Sequence, residues 1–264
     1  MEQEEIKFIH SVSKGSRYNQ IYIPENKREY FNAGDVVEVR LLRKKNELYY
    51  SKSLKSLSGF KERLIGEIFS FLSKYKKIKQ MFVFGSFLTK KIDYNDIDIL
   101  VLTDKEEGEE FDKKLYDNLS EEFNLKFHVI SAERKSLLKS LKIGPMTRSM
   151  LYYFVSDKKF DIPKEVEIDK NHILTLLMMP EDLLEIKFEN GKVYYDSLRK
   201  LIVIEKFLED RDMNINEMNK EIEGHIGVEL FKKIQKNEFI RKKEVKKIEE
   251  VISKKLNNIK KIIK

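Results

Sequence analysis

The stretch from Gln80 to Thr103, QMFVFGSFLTKKIDYNDIDILVLT, constrains this chain more than any other. Two apolar runs, Met81 to Phe84 and Ile97 to Val101, have the length and composition of buried strands. Gly85-Ser86 makes a sharp turn after the first, and a short helix is expected to follow. Asp96 and Asp98 stand at the start of the second. Side chains two apart on a strand share a face. Asp96 and Asp98 therefore project together, while Ile97, Ile99 and Val101 point the other way, into a core. Two carboxylates held this close repel each other and lose solvation, which costs stability. A divalent cation cancels that repulsion, and hard oxygen donors suit magnesium. Gly85 lets the backbone approach a ligand closely, and the first N–H groups of a following helix are open to phosphate oxygens. Acids that merely face solvent at strand edges account for Asp93 and Asp104, but poorly for a pair beside an apolar strand and a Gly-Ser turn.

A strand ending in Gly85-Ser86, nine residues, then Asp96-Ile97-Asp98 entering a second strand resembles the signature of the polymerase-β-like nucleotidyltransferase superfamily. The resemblance implies that Gly85 and Ser86 hold the phosphates of a nucleoside triphosphate, ATP being the expected one. It implies that Asp96 and Asp98 hold Mg2+, and that a nucleoside monophosphate passes to an acceptor hydroxyl as pyrophosphate leaves. The third strand, Leu125 to Ser131, departs from the pattern. The superfamily usually carries a third carboxylate there, as the base for the attacking hydroxyl. The two faces of this strand offer Lys126, His128 and Ile130, or Phe127 and Val129, and neither set contains an acid. Histidine is a side chain suited to act as a base near neutral pH, and His128 is the candidate catalytic base. The same ring serves equally as a donor to a neighbouring ligand or as a half-buried structural histidine. Glu133, just past the strand, is the nearest carboxylate. Two functions stay open: a nucleotidyltransferase, or a non-catalytic, nucleotide-sensing, nucleic-acid-binding regulator with a degenerate nucleotidyltransferase domain.

Other residues are drawn in with less force. Gly144-Pro145 starts the helix PMTRSMLYYFVS, since proline suits a first helical position. Arg148 lies near its start and is a candidate phosphate donor; the alternative is a solvated Arg148 beside packed Tyr152, Tyr153 and Phe154. The run Tyr194 to Arg199 resembles helices that cover the nucleotide in the superfamily.

The 264 residues contain no cysteine, which excludes disulfides, thiolate metal sites and thiol nucleophiles. The start, MEQEEIKF, lacks the basic-then-apolar order of a signal peptide, and no apolar run reaches membrane-spanning length. A cytoplasmic protein without membrane partners is expected. The net charge is +7, and Arg241 to Lys264 holds ten basic and three acidic residues. The excess thus sits on one segment, which argues for an anionic partner, RNA or DNA.

Before residue 54 the reading is β, with strands expected at Glu5 to Val12, Asn19 to Ile23, Val36 to Leu42 and Glu47 to Tyr50. Ile21, Ile23, Val37 and Val39 recur at period two, so one face should be buried. Gln20-Ile21-Tyr22-Ile23-Pro24 and Gly34-Asp35-Val36-Val37-Glu38-Val39 resemble the AbrB-like swapped-hairpin family. That resemblance implies a homodimer made by interleaved strands, and DNA binding.

The expected fold class is mixed, α+β with an α/β unit. A small N-terminal β module (1–53) precedes a nucleotidyltransferase-type mixed sheet with helices (54–160) and a helical region (161–264). Ser56 to Tyr75 should be a helix with Phe60, Leu64, Ile68, Phe71 and Leu72 inward. Glu107 to Glu122 and Ala132 to Leu141 are further helices, and Phe160 to Asp169 is a linker. Asn171 to Met179 is closed by Pro180, Glu181 to Asn190 follows, and Gly191 ends it. Lys192 to Arg211 and Asn216 to Asn237 come next, the latter interrupted near Gly224 and Gly227. Lys242 to Lys264 closes the chain, with Val245, Ile248, Ile252, Leu256, Ile259 and Ile263 inward.

Overall fold

The computed structural model describes residues 6–40, 47–89, 94–186 and 190–264. Asp93 and the outer ends of two expected N-terminal strands, Glu5 and Leu41-Leu42, lie outside them. The chain divides into two compact units, residues 1–44 and 45–264.

In the first unit, β1 (Ser13–Lys14) pairs antiparallel with β2 (Asn19–Gln20), and a 3-10 helix spans Glu25–Tyr30. The β expectation holds here only as a short hairpin. Residues 36–40 form no strand, and Ile21, Ile23, Val37 and Val39 are all exposed, so these four residues do not form the expected buried face. The reason is one of size: a strand needs a facing layer, and no residue described in this unit is buried.

The second unit is built on a mixed five-stranded sheet. Its strands are β3 (Tyr49–Tyr50), β4 (Gln80–Phe84), β5 (Ile97–Thr103), β6 (Phe127–Glu133) and β7 (Phe154–Ser156), in the order β3-β7-β4-β5-β6. β5 and β6 are parallel and the other pairs antiparallel. The parallel pair follows from its connection, because α2 (Glu109–Phe123) carries the chain back to the starting edge. One sheet face presents Met81, Val83, Ile97, Ile99, Val101, Phe127 and Val129 to α1 (Gly59–Leu72) and α2. The other presents Phe82, Phe84, Leu100, Leu102 and Phe154 to α3 (Arg134–Ile143) and Leu151. Both faces are covered, so these strands read as continuous apolar runs.

α1 buries Leu64, Ile65, Ile68, Phe69 and Leu72. Phe60, expected inward, is exposed. It stands in the first turn, which Ser58 caps through the Lys61 N–H, and the inward stripe begins one turn later. The expected long helix after Gly144 is α4 (Pro145–Met150), six residues only. Phe154–Ser156 instead fills the sheet between β3 and β4, where an aromatic and a β-branched residue pack well.

A helical layer follows, with its own core: α5 (Lys170–Glu185), α6 (Gly191–Leu208), α7 (Ile215–Ile226), α8 (Val228–Gln235) and α9 (Lys242–Ile263). α5 runs through Pro180 rather than stopping there, since Pro180, Ile173, Leu177 and Leu183 are all buried in one stripe. That burial outweighs the lost backbone hydrogen bond. Gly191 opens α6 instead of ending its predecessor. A Cβ there would stand 2.8 Å from Ile234 Cα, so only glycine lets α6 and α8 approach this closely. Gly227, at φ +89°, separates α7 from α8 as expected, whereas Gly224 lies within α7. All six predicted apolar positions of α9 are buried.

Candidate functional site

The β4–β5–β6 edge assembles the site. Register places Phe84 opposite Asp98, and Asp98 opposite His128. Asp98 shares its face with Leu100 and Leu102, as strand alternation requires, and so stands at the end of that apolar row. Asp96 precedes β5 by one residue.

Gly85 follows β4 with φ 78° and ψ −154°, a conformation nearly confined to glycine. A Cβ on it would lie 2.0 Å from Asp98 Oδ2. The glycine is thus required twice, by its backbone and by the carboxylate seated on it. The helix expected after it is a single 3-10 turn, Ser86–Leu88, with Ser86 exposed. Thr89 ends it by donating both its N–H and its Oγ1 to Ser86 O, at 3.0 and 2.8 Å. One turn carries little dipole, so the turn offers an anion local N–H groups rather than a helix macrodipole.

Lys61 of α1 holds this turn. Its Nζ donates to Thr89 O at 2.7 Å and lies 5.1 and 5.9 Å from the Phe87 and Tyr94 ring centroids. Those rings meet edge-on at 4.9 Å. The Lys61 ammonium is pushed below its ordinary pKa by burial. No feature of the sequence separates Lys61 from its many fellow lysines, because its role depends on a loop 28 positions away.

His128 Nδ1 stands 3.1 Å from Asp98 Oδ1. The His128 side chain is 57% exposed and that of Asp98 only 20%. Burial raises the Asp98 pKa; the His128 hydrogen bond opposes the rise, and the Asp96 charge adds to it. Asp96 and Asp98 thus sense each other, and the structure brings together Gly85, Asp96, Asp98 and His128, with Ser86 in the adjoining turn. Among them Asp96 and Asp98 supply carboxylate oxygens, the donor type that a magnesium ion shared with substrate phosphates would take. Among the described residues, no group of three or more His, Cys, Asp or Glu side chains is placed to hold a metal ion.

Three predicted residues have other surroundings. Glu133 pairs with Thr103 at the far end of β6, about 16 Å along the strand from His128. Arg148 donates Nε to Leu141 O at 2.7 Å, and Nη2 to the carbonyls of Pro163 and Glu165. Its guanidinium pins the linker to the end of α3. Tyr194 is fully buried in the helical core.

Residues 66–143 match the family model described as polymerase beta, nucleotidyltransferase. That span holds Gly85, Ser86, Asp96, Asp98 and His128, and ends before Arg148. No curated protein and no solved structure significantly matches the chain. No helix among the described residues is long and apolar enough to cross a membrane. From residue 66 to residue 143, the chain carries a central nucleotidyltransferase-like domain.

Proposed function

We propose that this domain is a nucleotide sensor rather than an efficient transferase. A nucleoside triphosphate, ATP being the expected one, lies with its phosphates over Gly85 and Ser86, and Asp96 and Asp98 hold the accompanying Mg2+. The ion supplies charge neutralisation between phosphate oxygens and carboxylates. The observation that carries the reading is the Asp98–His128 pair. Where a third carboxylate would receive the acceptor's proton, an imidazole is engaged with the metal-binding carboxylate itself. Regulation then follows from binding alone, with a nucleic-acid partner on the basic last helix.

Transfer to an acceptor hydroxyl is the second reading, favoured by the exposure of the His128 ring. Asp98 orients Nδ1, which leaves Nε2 to take a proton.

Isothermal titration of ATP with magnesium tests the site. Asp96→Ala and Asp98→Ala should each abolish binding, and unchanged binding in both rejects the site. Label transfer from an α-labelled triphosphate, lost in His128→Ala, establishes the enzyme in place of the sensor.

For the N-terminal unit we propose a second copy of the chain as partner, along the lines of the AbrB-like resemblance. Its described residues bury nothing, yet Ile9, Val12, Val36 and Val39 are exposed, Val36 by 98%. A unit this small, without cysteine, usually needs a partner to fold. Light scattering that gives a monomer at all concentrations rejects this.

A further inference from the structure

α9 has one face in the core and one face bare. Val245, Ile248, Ile252, Leu256, Ile259 and Ile263 are buried. The opposite face carries Lys246, Lys254 and Lys261, which line an open furrow of about 630 Å³ closed on one side by Leu184 of α5. A second depression, about 280 Å³, lies on the flank facing His225 of α7, and Lys247 and Lys254 line it. The two share Glu250, Lys254 and Asn258, so the surface is recessed on both sides of that ridge.

The lysines of α9 divide by what holds them. Lys255 is buried against Glu205 and Glu221, Lys260 pairs with Glu181, and Lys247 donates to Ile226 O. Among the described residues, Lys246, Lys254 and Lys261 make no ion pair, and all three lie in the furrow. They follow one another at eight and seven residues, about 12 and 10 Å along the helix. Ser253, Asn257 and Asn258 stand between them with both donors and acceptors. Two glutamates, Glu249 and Glu250, share the lining, and Glu250 repels an anion at the ridge. On the second flank the His225 imidazole is held below its ordinary pKa by burial and then by the Lys255 ammonium, against the pull of Glu221 and Glu205.

We propose that this face binds a single strand of nucleic acid. Its phosphates meet Lys246, Lys254 and Lys261 in turn, and its sugars and bases sit in the recesses beside Asn257 and Asn258. A periodic row of cations suits a phosphodiester chain. A membrane is the wrong partner, because the apolar face of α9 is spent on the protein core and nothing is left to insert. A duplex is a convex rod that meets only the ridge, whereas an unpaired strand enters the recesses, the larger of which is in the size range of ordinary ligand sites, roughly 300–1,000 Å³. Neither lining includes a Phe, Tyr or Trp ring and the His225 imidazole is the one ring present, so stacking contributes little and binding depends mainly on phosphates. The proposal rests on the nucleic-acid arm of the regulator reading and not on the nucleotide site.

Fluorescence anisotropy of labelled oligouridylate, oligothymidylate and the matching duplexes, each across a salt series, tests it. The full chain should bind the single strands at least tenfold more tightly than the duplexes. The double variant Lys246→Gln/Lys254→Gln should bind at least tenfold more weakly, with a log K against log salt slope shallower by about 1.4. Glu250→Gln should bind more tightly, a change that misfolding does not produce. Asp98→Ala should leave strand binding unchanged, so a failed nucleotide site and a failed strand site give separate results. Absent strand binding, preference for duplex, capture of an acidic peptide in place of the strands, or an unaltered affinity and slope in the double variant would overturn the proposal.

Discussion

Gly85, Asp98 and His128 form a row in which each residue limits the next. The Gly85 conformation leaves room for the Asp98 carboxylate, and His128 meets its other oxygen. Gly85→Ala should therefore lose about 1–3 kcal/mol from backbone strain alone, with a further loss from displacing Asp98. Chemical denaturation checks the first and magnesium-dependent nucleotide titration the second. Asp98 itself is held against the interest of the fold. Burial raises its pKa, so the stability linked to it is present below the unfolded value and is lost as pH rises through the folded one. At neutral pH the ionised carboxylate is a cost. Asp98→Asn keeps the shape and the acceptor for His128, and should raise Tm while abolishing nucleotide binding. Each kcal/mol recovered corresponds to roughly 2–4 °C. The gain should vanish as pH falls through the carboxylate range, where both states are protonated, and scanning calorimetry at several pH values reads this. A Tm that falls in Asp98→Asn would mean that the carboxylate serves packing rather than ligand binding.

Among the elements, the linker from Asp157 to Asp169 shows how a residue that looks functional becomes structural. It has no regular structure, and the Arg148 guanidinium fixes it through Pro163 and Glu165 while also closing Leu141 O at the end of α3. Arg148→Ala should cost about 2–3 kcal/mol, since hydrogen bonds from a charged donor are the stronger class. It should also expose the linker to limited proteolysis while leaving nucleotide affinity unchanged. Reduced affinity with an intact linker would return Arg148 to the phosphates. β7 and α5 make the same point about local signals. Residues 154–156 become strand because a gap between β3 and β4 accepts them, and Pro180 stays helical because its ring is buried with Leu177 and Leu183. α9 needed no such help, because a six-position apolar stripe at helical spacing has one way to be buried.

For the molecule as a whole, the helical core is tied together by charge as well as by apolar packing. Lys255, 7% exposed, reaches Glu205 at 2.5 Å and Glu221 at 3.0 Å, joining α9, α6 and α7. Lys255→Met leaves two carboxylates without their cation and should cost about 3–5 kcal/mol. The double variant Glu205→Leu/Lys255→Met should recover most of that, because Glu221 is partly exposed and can hydrate. Urea denaturation of the three proteins decides it, and a double variant as unstable as the single one would show that the network is not what the lysine supports. The sequence by itself determined the strands on either side of the Gly-Ser turn, the inward face of Ile97, Ile99 and Val101, and the inward stripe of α9. Each depends on a local period that only one burial pattern satisfies. It also held the absence of an acid from Lys126 to Ile130, the part of the third strand beside Asp98. Only the tertiary structure decided that His128 would close on Asp98, that Arg148 would hold a linker, that Lys61 would brace the turn, and that Ile21, Ile23, Val37 and Val39 would lie exposed. Those outcomes turn on which distant groups arrive as neighbours, and periodicity carries no record of a contact partner.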